Sequence, residues 1–151
     1  MIMSHFSRIV YAYDTIYDMH IPYFFTTYLF LKVYFIFYRV RHLFDDSFKA
    51  KGGNWVKQVI DEVLIRCCEA NIFHIAVDTQ STEGCVYIKA KNTEDAAKVF
   101  KTLHGQWYRG NLVTAKYLRD ERYLEKFPDA QYHQTPMQPG NEVNIIPRTT
   151  V

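Results

Sequence analysis

The chain is poor in the residues that most directly announce a function. It has three cysteines in 151 residues, two of them adjacent (Cys67, Cys68), and no Cys-x-x-Cys pair. That excludes a disulfide framework, gives no support for a zinc knuckle, and makes reduced thiols the expectation. An excess of charge is also lacking. Eighteen Lys+Arg face sixteen Asp+Glu, a net of +2, too little for binding nucleic acid through the electrostatics of the whole surface. There is no G-x-S-x-G, no Gly-rich phosphate loop and no H-E-x-x-H, so no nucleophile elbow, nucleotide cradle or zinc-protease helix is on offer. Gly52-Gly53 reads as a β-to-α connection. The six histidines (His5, His20, His42, His74, His104, His133) lack ligand spacing. The chain is therefore expected to be noncatalytic, with no metal and no cofactor. A signal peptide's charged n-region and small-residue cleavage site are missing as well.

What is present divides into three kinds of sequence. Residues 1–38 hold thirteen of the 23 Tyr+Phe but only four charges (Arg8, Asp14, Asp18, Lys32). Residues 39–127 hold 15 basic and 12 acidic residues, and 128–151 hold four of the five prolines. The expected organisation is an aromatic-rich extension over 1–37, a domain over 38–127 and a disordered tail over 128–151. The run at 22–38, followed by Arg39 and Arg41, has the length and flank of a short membrane anchor, but Lys32 interrupts it and its aromatics are not gathered at the ends. Three readings of the extension stand side by side: a membrane segment, an added element packed on the domain, or non-coding sequence read through by a gene model.

The middle segment is periodic. Tyr38–Phe44 alternates as a strand. Asn54 caps a helix with apolar stripes at Trp55, Val59, Val63, Cys67 and at Val56, Ile60, Leu64, Cys68, wide enough to bury against a sheet. Ile72–Val77 and Cys85–Ala90 are strands around a polar turn at Asp78–Gly84. Thr93 is expected to cap a second helix whose buried face is Ala96, Ala97, Phe100 and Leu103, stopped by Gly105. Leu112–Leu118 alternates as the last strand, and Arg119–Phe127 puts Tyr123, Leu124 and Phe127 on one face of a short helix. The fold class is α+β: a ferredoxin-like βαββαβ sandwich, four antiparallel strands and two helices plus a short C-terminal helix.

An RNA recognition motif (RRM) has this order, and its third strand carries a basic residue, glycine and several aromatics. The aligned residues here are Glu83-Gly84-Cys85-Val86-Tyr87-Ile88-Lys89-Ala90, and Arg39 stands where the first strand would place a stacking aromatic. One platform and an acidic residue leave little for base stacking, worth roughly 1–3 kcal/mol per base. Weak RNA or DNA contact through Arg39, Arg41, Tyr87 and Lys89 is the alternative reading. The loop His104-Gly105-Gln106-Trp107-Tyr108-Arg109-Gly110 is more suggestive, because Trp, Tyr and Arg dominate protein-binding hot spots. The competing reading folds Trp107 back onto the second helix as satellite core.

Val40–Phe44, Phe73–Asp78, Glu83–Lys89, Leu103–Tyr108 and Leu112–Leu118, followed by Arg122-Tyr123 and Phe127-Pro128, resemble in order the terminal RRM of the MAN-one family of LEM-domain proteins. The resemblance covers about residues 38–130, and residues 1–37 have no counterpart in it. It implies the nucleus and inner nuclear membrane, and nuclear protein partners of the receptor-regulated Smad type, whose binding by the family dampens TGF-β/BMP signalling. It also implies a fragment or truncated product that keeps the terminal domain alone. The domain is similar too to the protein-binding RRM subclass called UHM, which clamps a partner's tryptophan with a Gly-Arg-x-Phe loop and first-helix acids. That likeness implies a binding surface at Gln106, Trp107, Tyr108 and Arg109 with Asp61 and Glu62, although Gln106 stands where the loop arginine belongs.

Overall fold

A computed structural model describes residues 36–140. Residues 1–35 and 141–151, and with them most of the 22–38 run, lie outside the described residues. The elements are β1 (Phe37–Arg41), a short α1 (Asp46–Ala50), α2 (Trp55–Arg66), β2 (Ile72–Val77), β3 (Val86–Ala90) and α3 (Thr93–Leu103). They are followed by β4 (Trp107–Tyr108), β5 (Asn111–Leu112), β6 (Thr114–Leu118), α4 (Asp120–Lys126) and a 3₁₀ turn over Pro128–Tyr132. Strands β2-β3-β1-β6 form one antiparallel sheet in that order, and β4-β5 form a separate hairpin. The architecture is the α+β sandwich expected from the βαββαβ pattern.

Strand alternation gives the sheet two faces. Tyr38, Val40, Ile75, Val86, Ile88, Ala90 and Ala115 point to one, where Val59, Ile60, Val63 and Leu64 of α2 and Ala96, Val99 and Leu103 of α3 close the main core. The Tyr38 hydroxyl, fully buried, donates to the Ala96 carbonyl at 2.6 Å and so ties β1 to α3. Phe37, Cys85 and Tyr87 point to the other face, which a second apolar cluster covers.

Several boundaries differ from the sequence expectation, each for a local reason. β1 starts at Phe37 and ends at Arg41, because His42 turns the chain at φ 68° and Leu43 and Phe44 leave the ladder for the core. Phe37 and Tyr38, the end of the aromatic run, are thus strand residues of the domain. The cap of α3 is Asn92, one residue early, its side-chain oxygen accepting from the Asp95 N–H at 2.8 Å. Val99 joins the buried face there, while Ala97 does not. The last strand begins at Thr114, because Leu112 pairs with Trp107 in the hairpin.

Residues 128–140 do not behave as the disordered tail expected of proline-rich sequence. Pro128 opens a 3₁₀ turn whose Ala130 is fully buried. Beyond it the Met137 N–H donates to the Ile72 carbonyl at 2.8 Å, and the Gly140 N–H to Asp61 Oδ1 at 2.9 Å. Proline forbids regular helix but not packing, and this segment runs from one face of the sheet, past edge strand β2, to α2. Among the described residues no helix is long and apolar enough to cross a membrane.

Candidate functional site

The residues weighed for nucleic-acid contact are largely closed over. Helix α4 lays Tyr123 onto the outer sheet face, where its ring sits 4.5 Å from Phe37 and 6.4 Å from Tyr87, and Phe127 adds a contact 5.2 Å from Tyr87. Tyr123 is fully buried and Tyr87 is 9% exposed. Lys126 completes the closure. Its ammonium donates to Asp78 at 3.1 Å and to the Tyr87 hydroxyl at 3.0 Å, and hangs over the Tyr87 ring.

Lys89 is turned the same way. Its Nζ donates to the carbonyls of Ala130 at 2.7 Å and His133 at 3.0 Å, and burial pushes its pKa down. Arg39 is half-buried beside Tyr87 in the ladder, and Arg41 pairs with Glu83 at 3.3 Å. The expected stacking platform at Tyr87 is therefore corrected: its ring and its hydroxyl are occupied by the C-terminal helix. Sequence showed the apolar face of that helix but not the surface it would cover.

Under the helix, His74 Nδ1 lies 2.7 Å from the Tyr123 hydroxyl, with His133 and Phe127 against its ring. Burial, and then the nearness of His133 and Lys89, hold its pKa down at about 4, so the ring is neutral at pH 7. It is a satisfied sheet histidine, partnered by Tyr123. Among the described residues no group of three or more His, Cys, Asp or Glu is placed to hold a metal.

The loop after α3 is ordered by its turn. Trp107 and Tyr108 pair with Leu112 and Asn111, and the two residues between have positive φ, Arg109 at 49° and Gly110 at 80°. That is the requirement of a two-residue type I′ hairpin. The Gly105 N–H donates to Val113, and the Val113 N–H to Gln106, anchoring the hairpin's base. Alternation then sends Tyr108 inward, 7% exposed, and Trp107 outward, 68% exposed. Leu112, opposite Trp107, is 44% exposed. Trp107 therefore does not fold back onto α3.

Tyr108, Arg109 and Glu62 come together. The Arg109 guanidinium donates to both Glu62 carboxylate oxygens at 2.7 Å and lies 3.5 Å over the Phe48 ring and 4.7 Å from the Tyr108 ring. Arg66 stacks on the same tyrosine at 4.2 Å. Gln106 is exposed at the hairpin's start. Asp61 is not part of this cluster: it accepts from the Gly140 N–H and pairs with Lys57 at 2.6 Å, which together hold its carboxyl below the usual range. Two members escaped the sequence reading. Arg66 stands four residues after Glu62 on α2, a spacing that places both on one helix face. Phe48 gave no signal, because α1 was not anticipated.

The arrangement has no nucleophile–base pair. It is a hairpin tip with one exposed aromatic, Trp107, and one buried aromatic, Tyr108, flanked by two arginines of which Arg109 is paired with Glu62. No protein-family model matches the chain. Over 105 residues, 69% of its length, the chain is 44% identical to the inner nuclear membrane protein Man1 of Mus musculus, and it spans only 11% of that relative's length.

Proposed function

Because the chain carries a Man1-like domain, we propose that it is a noncatalytic protein-docking module of the inner nuclear membrane, binding nuclear partners of the receptor-regulated Smad type through its hairpin and α2. Damping of TGF-β/BMP signalling would follow from holding such partners at the envelope. The observation that carries this reading is Trp107, 68% exposed on a hairpin whose backbone is fixed. A large aromatic held in water at a defined position contributes nothing to the core and is preorganised for a partner. The nucleic-acid alternative loses support from the closed sheet face, since base stacking needs the Tyr87 ring free.

The test is an NMR titration of the isotope-labelled full chain with a Smad MH-two domain and, separately, with short single-stranded RNA. Shifts confined to Gln106–Gly110 and the α2 residues Glu62 and Arg66 on adding protein are expected. Salt-sensitive shifts at Arg39, Tyr87 and Lys89 with RNA, and silence with the MH-two domain, would overturn the reading.

A further inference from the structure

His74 on β2 and Lys89 on β3 stand directly opposite each other in the antiparallel ladder, beneath α4 and the 3₁₀ turn. Lys89 is 8% exposed, and among the described residues its ammonium meets the Ala130 and His133 carbonyls and, at 5.9 Å, the Phe73 ring. A buried lysine ordinarily has a carboxylate partner. This one uses its donors to hold the turn down. The Tyr123 hydroxyl belongs to a fully buried residue, and His74 Nδ1 at 2.7 Å is its hydrogen-bond partner. With no other acceptor among the described residues the hydroxyl donates to Nδ1, which puts the neutral ring's own proton on Nε2. Facing the same ring are His133, edge-on at 5.1 Å, Asp129 of the 3₁₀ turn, and Tyr123 and Phe127 of α4. Lys126 of α4 is engaged at Asp78 and Tyr87.

We propose that residues 120–133 form a proton-sensitive lid: protonation of His74 lifts α4 and the 3₁₀ turn from the sheet as a unit and uncovers Phe37 and Tyr87, while the main core stays closed. A proton on Nδ1 has two effects. It sets an imidazolium opposite the Lys89 ammonium, a like-charge pair across the ladder, with Asp129 as the one facing acid. It also removes the acceptor of the Tyr123 hydroxyl and leaves a buried O–H unsatisfied. Both penalties vanish once the lid is off, because ring and hydroxyl then meet water. The release is local because the lid covers its own cluster: Phe37, Cys85, Tyr87, Tyr123 and Ala130 pack apart from the core that α2 and α3 close. Its two ends are held, by β6 before it and by Met137 after it, which donates to Ile72 and packs against the main core. No group of the hairpin or of α2 takes part, so the lid is independent of the docking reading.

The covered ring has its pKa held at about 4, by burial first and then by His133 and Lys89, against the ordinary 6.5 that an uncovered ring regains. The closed lid is therefore fully favoured above 6.5 and loses ground as pH falls below it. Linkage makes the opening equilibrium about tenfold larger at about pH 5.5 than at about pH 7.5. The test is amide hydrogen exchange of the full chain by NMR at both pH values, with each rate expressed as protection against the intrinsic rate at that pH. Protection of the Phe127 and Ala130 amides, which close α4 and the turn, should fall about tenfold at the lower pH. Protection of the Cys67 and His104 amides, which close α2 and α3, should hold. His74→Gln keeps a neutral side chain that can accept the hydroxyl and does not titrate, so it should abolish the response.

Unchanged protection at Phe127 and Ala130 overturns the lid. So does a loss shared equally by Cys67 and His104, which is loosening of the whole domain. A response that survives in His74→Gln overturns the assignment to His74. Its loss in His133→Gln would then make His133 the sensor, and its persistence there would point to the carboxylates of α4. Should the glutamine variant fail to fold, the His74 ¹³Cε1 shift of the wild-type chain decides. Titration well below 6.5, together with shifts at Phe37 and Tyr87, supports the lid. Titration near 6.5 with Phe127 and Ala130 still protected, or titration without those shifts, overturns it.

Discussion

Arg109 and Glu62, separated by 47 residues, meet side chain to side chain at 2.7 Å, and the pair fastens the hairpin tip to α2. Arg109 does so from a left-handed backbone, φ 49°, at a turn position where asparagine is the preferred residue. The local rule is broken in favour of a long-range contact.

Arg109→Asn separates these two effects. The turn should gain a few tenths of a kcal/mol from the better residue. Loss of the Glu62 pair and the Phe48 contact should cost about 1 kcal/mol, since the pair is only partly buried. A double-mutant cycle with Glu62→Gln should yield a coupling of about 0.5 kcal/mol, measured by urea denaturation. Additivity of the two changes would show that the pair is idle.

Tyr123→Ala should be among the most damaging single changes, about 3 kcal/mol, because it empties a fully buried site against Phe37 and Tyr87. Tyr123→Phe removes only the hydroxyl that meets His74 and should cost about 1 kcal/mol. Calorimetry on both variants checks the difference. The alanine variant should also expose Tyr87 to solvent, read as increased quenching of tyrosine emission.

Stability should fall on mild acidification through His74. Its folded pKa of about 4 lies below the ordinary 6.5, so the unfolded chain takes up the proton first. Stability is therefore full above about pH 7 and is lost as pH drops through 6.5 towards 4, by an amount on the order of 2–3 kcal/mol. The midpoint of thermal unfolding, followed between pH 7.5 and 4.5, should drop more steeply in wild type than in His74→Gln. Parallel curves would remove His74 from the account.

Gly84→Ala should be poorly tolerated. The residue sits at φ +62°, and a Cβ there would run into the backbone carbonyl of Phe44. The neighbour cannot yield without breaking the bond from the Leu43 N–H to the Gly84 carbonyl. A loss of about 2 kcal/mol or more is expected. By contrast Gly52→Ala meets no atom and should cost only the strain of its positive φ, about 1 kcal/mol. Equal losses at the two glycines would contradict this.

The framework was legible because its signals are local. The four-residue spacing of Val59, Val63, Ile60 and Leu64 identified α2 and its buried face, and the apolar run Ile72–Val77 ahead of the polar turn at Asp78 marked β2 with the bounds it has. What sequence could not supply was destination. Tyr123, Leu124 and Phe127 marked an apolar face, but only the folded sheet shows that the face covers Tyr87, converting a candidate nucleotide platform into buried core. The same holds at the hairpin, where Gly105 and Gly110 marked a loop. Which of two adjacent aromatics faces water depends on the register of Trp107 with Leu112.

The stretch from His133 to Gly140 has a consequence beyond its own contacts. β2 is a terminal strand of the sheet, and an uncovered row of N–H and C=O groups there invites pairing with a foreign strand. By donating the Met137 N–H to the Ile72 carbonyl, the stretch occupies one acceptor of that row, and its Gly140 N–H is tied to the Asp61 side chain on α2. It works as a selvedge, the bound margin that keeps a woven cloth from unravelling or catching on its neighbour. Pairing of a foreign strand at that end of β2 is thus opposed by a proline-bearing strip that belongs to no regular element.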